Sequence, residues 1–268
     1  MVTMTQSRPV GDLLREWRQR RRKSQLALAC QANISTRHLS FLETGRATPS
    51  REMVLALAEE LEVPLRQRNA LLVAAGFAPM FPERPLSDPA LEGARRIVDL
   101  VLRGYEPFPA LAIDRHWQLV SANRAATAFM AGAEPTLMQP PVNVLRLSLH
   151  PQGLASQIAN GPEWHAHVVA RLRRQCEMTA DPVLADLLRE VESYAPDQPP
   201  TTGRLAGHAD VAVLFQLHSP AGLLSFYTTT MVFGTPVDVT LSELAIEAFL
   251  PADTSTAEVL HALAASRS

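Results

Sequence analysis

Cysteine is nearly absent from these 268 residues: there are two, Cys30 and Cys176, far apart and each inside a helix-patterned segment. A disulfide framework and a thiolate metal cluster are therefore not expected. No run of about eighteen uncharged apolar residues occurs, which excludes a membrane span. The opening MVTMTQSRPV lacks the apolar centre of a secretory signal, so the expected compartment is the cytoplasm. The common catalytic signatures are missing as well, with no GxSxG, no P-loop GK[ST], no GxGxxG and no CxxC pair. His165 and His167 lie two residues apart on a predicted helix and point in different directions, so they cannot chelate one ion as an i, i+4 pair does. His150, before Pro151, reads either as a hydrogen-bonding group at a helix start or as a group that orients a ligand carboxylate. No catalytic residue, metal or cofactor is expected, and the chain is read as a non-enzyme.

What is present is a charge asymmetry beneath a formal net charge of -2. Residues 1–78 carry 12 Lys and Arg against 7 Asp and Glu, whereas the remainder carries 13 against 20. The positive charge is densest in RQRRRK, residues 18–23. Two readings of that run stand: a solvated helix end, where cations favour the negative pole of the dipole, or a patch that meets a polyanion. With 47% hydrophobic residues, the chain is long enough for two domains with separate cores.

Proline marks the boundary. Pro79, Pro82, Pro85 and Pro89 in APMFPERPLSDPA cannot continue a helix and read as a stiff connector. We divide the chain into a head over 1–78, a linker and connecting helix over 79–106, and a second domain over 107–268. The head shows five short helix patterns, over residues 11–22, 25–32, 35–44, 51–61 and 66–75. Between the second and third, ANIS supplies a left-handed turn at Asn33, a buried Ile34 and an N-cap at Ser35. This is a helix-turn-helix. On a wheel of about 100° per residue, Leu39 and Leu42 define the buried side of the third helix, and Arg37, Ser40, Phe41 and Thr44 fall opposite. A guanidinium, hydroxyls and an aromatic suit a major groove. For Phe41 packing against a neighbouring helix is the other reading, and for Arg37 an ordinary surface charge.

SQLALACQANISTRHLSFLETGRATPSREMVLALAEELEVP resembles the Xre, Cro and phage repressor helix-turn-helix family. The match lies in the Gln opening the second helix, the Leu-Ala pair, Leu39-Ser40, Leu42-Glu43, Gly45 and Pro49; Asn33 stands where that family usually has glycine. The resemblance implies phosphate contact from Gln25, base-edge contacts from Thr36, Arg37 and Phe41, and DNA-backbone contact near Thr44 and Arg46. A wider resemblance rests on RHLSFLETGRATPSREM, RNALLVAAGFAP, PALAIDRHWQLVSANRAA and LHPQGLASQIAN, which are similar to MmyB-like transcription regulators. It implies a bacterial regulator whose second domain is a PAS-like, ligand-binding α+β fold.

Read from its own residues, the second domain opens with apolar strands over 110–114 and 118–121, then a helix carrying Ala125, Ala126 and Phe129. Helices over 163–178 and 182–194 follow. A hairpin over 210–233 turns at Ser219-Pro220-Ala221-Gly222, LSELAIEAFLP gives a last strand, and 256–265 a closing helix. The sum is an antiparallel five-stranded sheet covered by helices. Trp164, Phe215, Phe226 and Met231 are its large apolar candidates; such residues usually just pack, and only the family resemblance points to a pocket between sheet and helices. Two functions remain open. One is a homodimer on a near-palindromic double-stranded operator, with half-sites roughly 10 base pairs apart, that senses an apolar, fatty-acyl-like small molecule. The other is a DNA-binding regulator whose second domain only dimerises or recruits a protein.

Overall fold

The computed structural model describes residues 8–195 and 213–266. The chain forms two compact units, the first in the main up to Arg84 and the second from Pro85 onward. The first holds α1 (Val10–Arg20), α2 (Gln25–Gln31), α3 (Thr36–Glu43), α4 (Arg51–Glu60) and α5 (Leu65–Ala74), each within two residues of the range its periodicity predicts. Three serines start three of them. Ser24, Ser35 and Ser50 accept from the backbone N–H of Ala27, His38 and Met53 at 3.1, 3.1 and 3.2 Å, satisfying donors that a helix start leaves unpaired. Asn33 makes the turn between α2 and α3 at φ 53°, the left-handed conformation that asparagine tolerates best after glycine. Leu14, Leu28, Leu39, Leu57 and Leu72 meet in one core. Gly11 lets α1 close on α3: a Cβ there would stand 2.4 Å from the Leu42 carbonyl oxygen.

The second unit is built on five antiparallel strands in the order β2-β1-β5-β4-β3. They are β1 (Ala110–Ile113), β2 (Leu119–Ala122), β3 (Phe215–Ser219), β4 (Gly222–Val232) and β5 (Ala245–Pro251). This is the predicted five-stranded PAS-like sheet, with residues 210–212 of the predicted hairpin lying outside the described residues. The helices are α6 (Glu92–Gly104), α7 (Arg124–Met130), α8 (Val144–Leu149), α9 (Gly161–Thr179), α10 (Pro182–Glu192), the one-turn α11 (Val239–Ser242) and α12 (Thr254–Ala265).

Strand period decides which residue meets which helix. Leu111 pairs with Glu247 and Phe215 with Phe226, and these side chains share the face that packs towards α9. Their neighbours Ala110, Ala112, Ile246 and Ala248 turn to the other face, beneath Val98 and Leu102 of α6. Asn123 locks this layer. Its carbonyl oxygen accepts from Ala110 and Ala126 backbone N–H at 3.1 and 2.9 Å, and its amide donates to the Phe108 and Leu102 carbonyls at 2.8 and 3.2 Å.

Candidate functional site

In the first unit, α3 presents the surface that its wheel predicts. Leu39 and Leu42 are buried, Arg37, Thr44 and Arg46 are exposed, and Thr36, Ser40 and Phe41 are half-buried. Phe41 is not a bare aromatic, because the Arg37 and Arg46 guanidinium carbons lie 5.3 and 5.9 Å from its ring centroid. Cation–π contact of this kind fixes two mobile arginines over one surface. The Thr44 hydroxyl donates to the Ser40 carbonyl at 2.7 Å.

Behind that surface sits a buried carboxylate. Glu43, its side chain inaccessible to solvent, accepts from Arg18 Nε and a terminal nitrogen at 2.6 and 2.9 Å and from the Gln25 amide at 2.8 Å; Arg15 donates to its main-chain oxygen at 3.0 Å. Burial pushes its carboxyl up. The hydrogen bonds from Arg18 and Gln25 and the charges of Arg18 and Arg15 outweigh that and hold it below the ordinary 4.5. Gln25, expected on phosphate, thus spends one amide N–H inside the protein. RQRRRK is also mostly spent on structure. Arg18 reaches Glu43 and the Lys23 carbonyl, Arg21 donates to the carbonyls of Leu61 and Glu62 at 2.8 and 2.9 Å, and Lys23 bonds Gln31 and the Glu60 carbonyl. Arg21 and Lys23 thus satisfy carbonyls at and just past the end of α4, partners that no local pattern reveals.

In the second unit, a cavity of about 100 Å³ lies between the inner sheet face and helices α7, α8 and α9. Trp164, Phe215 and Phe226 all line it, joined by Phe129 and Phe249. Their rings contact one another, Trp164 to Phe215 at 4.8 Å and Phe215 to Phe249 at 5.5 Å between centroids. Met231 does not join them. It is five residues from Phe226 on the same strand, an odd separation that turns it to the opposite face, where it packs under α6 and accepts from the Tyr105 hydroxyl at 3.7 Å.

The lining is mostly apolar, and among the described residues its one ion pair is Arg171 with Glu247. There the Arg171 guanidinium pairs with Glu247 through both terminal nitrogens at 2.5 and 3.0 Å, donates to Thr230 at 2.9 Å, and lies 4.6 Å from the centroid of the Trp117 ring. Trp117 holds φ at 64°, unusual for an aromatic residue, and its indole N–H donates to Gln175 at 2.7 Å. His167 stacks on Trp164 at 5.5 Å. Burial first, then the charges of Arg171 and Arg174, lower its pKa below 6.5 and favour the neutral ring. His165 bonds the Val191 carbonyl, and His150 accepts from the Gln152 N–H and packs edge-on against Tyr194. Sequence reasoning missed Arg171 and Glu247. The signal was there: Arg171 falls on the α9 stripe of Trp164 and Val168, and Glu247 on the inner face of β5 two residues from Phe249.

Residues 94–263 match the family described as MmyB-like transcription regulator ligand binding domain, and residues 9–71 match a helix-turn-helix domain. The first match alone covers more than half of the chain, and the chain belongs to that family. It is also 35% identical over 106 residues to the uncharacterized HTH-type transcriptional regulator RghRB of Bacillus subtilis (strain 168), which takes in 38% of this chain and 73% of the relative. The protein is a DNA-binding transcription regulator in which a helix-turn-helix is joined to a ligand-binding domain. Among the described residues no helix is long and apolar enough to cross a membrane.

Proposed function

We propose that the protein, acting in the cytoplasm, grips a near-palindromic operator as a homodimer and changes its grip when an apolar, fatty-acyl-like molecule occupies the cavity of the second domain. In this reading residues 1–78 are the reading head, 79–106 the connector and 107–268 the sensor. Arg37 pairs with a base edge, Thr36 and Phe41 offer methyl and ring carbon to the groove, Ser40 borders them, and Arg46 meets phosphate. Gln25 retains a second amide N–H for phosphate. Thr44 donates to phosphate only by releasing the Ser40 carbonyl.

The observation that carries the ligand reading is an aromatic-lined cavity whose charge is confined to one ion pair, Arg171 with Glu247. It matches an extended apolar molecule with one polar end. A void of about 100 Å³ is smaller than the about 300–1,000 Å³ of drug-sized ligand pockets, so the ligand widens it, and the half-buried Phe215 is the side chain we expect to move. That small volume is also what favours the second reading, a domain that only dimerises or recruits a protein. The two separate in one experiment. A homologous series of straight-chain fatty acids is titrated, with and without operator, against the parent, Trp164→Ala and Phe226→Ala. Affinity should rise with chain length, fall in both variants, and shift with operator by the same factor by which ligand shifts DNA affinity, since coupling is reciprocal. No binding by the parent, or identical binding by all three proteins with and without DNA, would leave the second reading standing.

A further inference from the structure

We infer that the outward face of α6 is the contact between two copies of this chain, packed antiparallel about a two-fold axis passing between Ile97 and Leu100. The inference rests on the homodimer reading and names its interface.

Helix α6 buries Val98 and Leu102 against the sheet, and its opposite face exposes Ile97 at 52% and Leu100 at 71%. Such exposure of two adjacent large aliphatics on one helix face asks for a partner. At about 100° per residue, Gly93, Ile97, Leu100 and Gly104 form a single stripe on that face. Nothing among the described residues explains either glycine. Both lack a positive φ, and a Cβ built on either meets nothing within 4 Å. Glycine is worse than alanine in a helix, yet it lets a second helix come close.

The stripe reads alike in both directions, with spacings of four, three and four. A two-fold axis at its centre therefore sets Gly93 against Gly104 of the second copy and Ile97 against Leu100 of the second copy, small on small and large on large. That is the self-complementarity an isologous contact requires. Charge agrees. Glu92, Arg96, Asp99 and Arg103, all exposed, run along one edge of the stripe. Antiparallel packing brings Arg103 towards Glu92 of the second copy and Arg96 towards Asp99 of the second copy. Parallel packing would turn this edge towards the Ala94 and Val101 edge of the second copy and form neither pair. One helix face is smaller than the about 800 Å² per partner of a standard interface. The contact is accordingly weak in free solution and becomes effective when two heads share one operator.

Sedimentation velocity on the full chain across a concentration series, free and with operator, tests this. The parent should show a monomer–dimer equilibrium. Leu100→Asp and Ile97→Asp should each raise its dissociation constant at least tenfold with the melting temperature unchanged. Gly93→Gln should improve the helix yet weaken the dimer, opposite to a purely structural role. Glu92→Arg and Arg103→Glu should each weaken association, and the double variant should restore it; these exposed positions keep the test valid if an Asp variant fails to fold. A dimer indifferent to all the substitutions overturns the α6 interface and leaves the homodimer standing. Charge variants that weaken without mutual rescue overturn the antiparallel arrangement. A parent that is monomeric both free and on the operator overturns the homodimer reading itself.

Discussion

Each unit of this protein buries one glutamate against an arginine, and the two pairs are built differently. Glu43 in the head has a side chain inaccessible to solvent and is surrounded by Arg18, Gln25 and Arg15, in a core where α1 closes on α3 to main-chain contact. Glu247 in the sensor is buried as well, though its side chain is 6% exposed, and its partner Arg171 is 30% exposed and the pair borders a void. The first pair ties α3 to α1 and α2 from inside a filled core. The second borders open space, and in the proposed function a polar ligand group replaces one of its partners. On that reading a rigid reader and a yielding sensor use the same two residue types in opposite surroundings.

The largest expected effect tests that contrast directly. Glu43→Ala strands Arg18 in a filled core and should destabilise the head by about 3–5 kcal/mol. Glu247→Ala should lose clearly less, because Arg171 keeps Trp117 and reaches solvent. Urea unfolding followed separately in each unit gives both numbers, and equal losses would break the comparison. Packing gives the next test. Ala58→Val, at a fully buried site in the head core, should destabilise by about 1–3 kcal/mol through overpacking. Ala126→Val, whose side chain borders the cavity, should be neutral or stabilising by at most about 1 kcal/mol and should weaken fatty-acid binding.

Function should be separable from stability in the head alone. Arg37→Ala should lose about 1–3 kcal/mol at one operator base with unfolding unchanged, whereas Arg46→Ala should weaken all sequences alike and lower the salt slope by about 1. Operator-variant titrations over a salt series distinguish them. The smallest effect is in acid. Glu43 titrates below its ordinary 4.5 in the fold, so its contribution is present above pH 4.5 and is lost as pH falls through the folded value. His167 also titrates below its ordinary 6.5, but there the unfolded chain takes up the proton first, so the sensor loses stability as pH drops below 6.5. On acidification the sensor's melting temperature should begin to fall before the head's.

Much of this could be read from the residues in order. Apolar spacing placed the five head helices, Ser35 and Asn33 announced the turn, and alternation around Gly222 announced the hairpin. Helix α8 was not anticipated, because VLRLSL alternates like a strand, and only Asn143, accepting from the Leu145 and Arg146 N–H groups at 3.1 Å, makes it a helix. The long-range uses of charge were equally hidden. Arg21 is committed to carbonyls forty residues away, which no local spacing encodes. Met231 is a different case, since counting from Phe226 along one strand already separates the two faces. The cavity's aromatics were legible as large residues on regular elements. Their convergence on an unfilled space depends on how α7, α8 and α9 cross the sheet.

The chain has three tryptophans, and their distribution has a practical consequence. Trp17 is sealed in the head beneath Arg21, while Trp117 lies under the Arg171 guanidinium and Trp164 forms the cavity wall beside His167. A molecule that enters the cavity touches two of the three indoles and disturbs the cation lying on one of them. If the proposed ligand binds there, its arrival should be visible in the protein's own ultraviolet emission without a label, with Trp17 of the head as the internal reference.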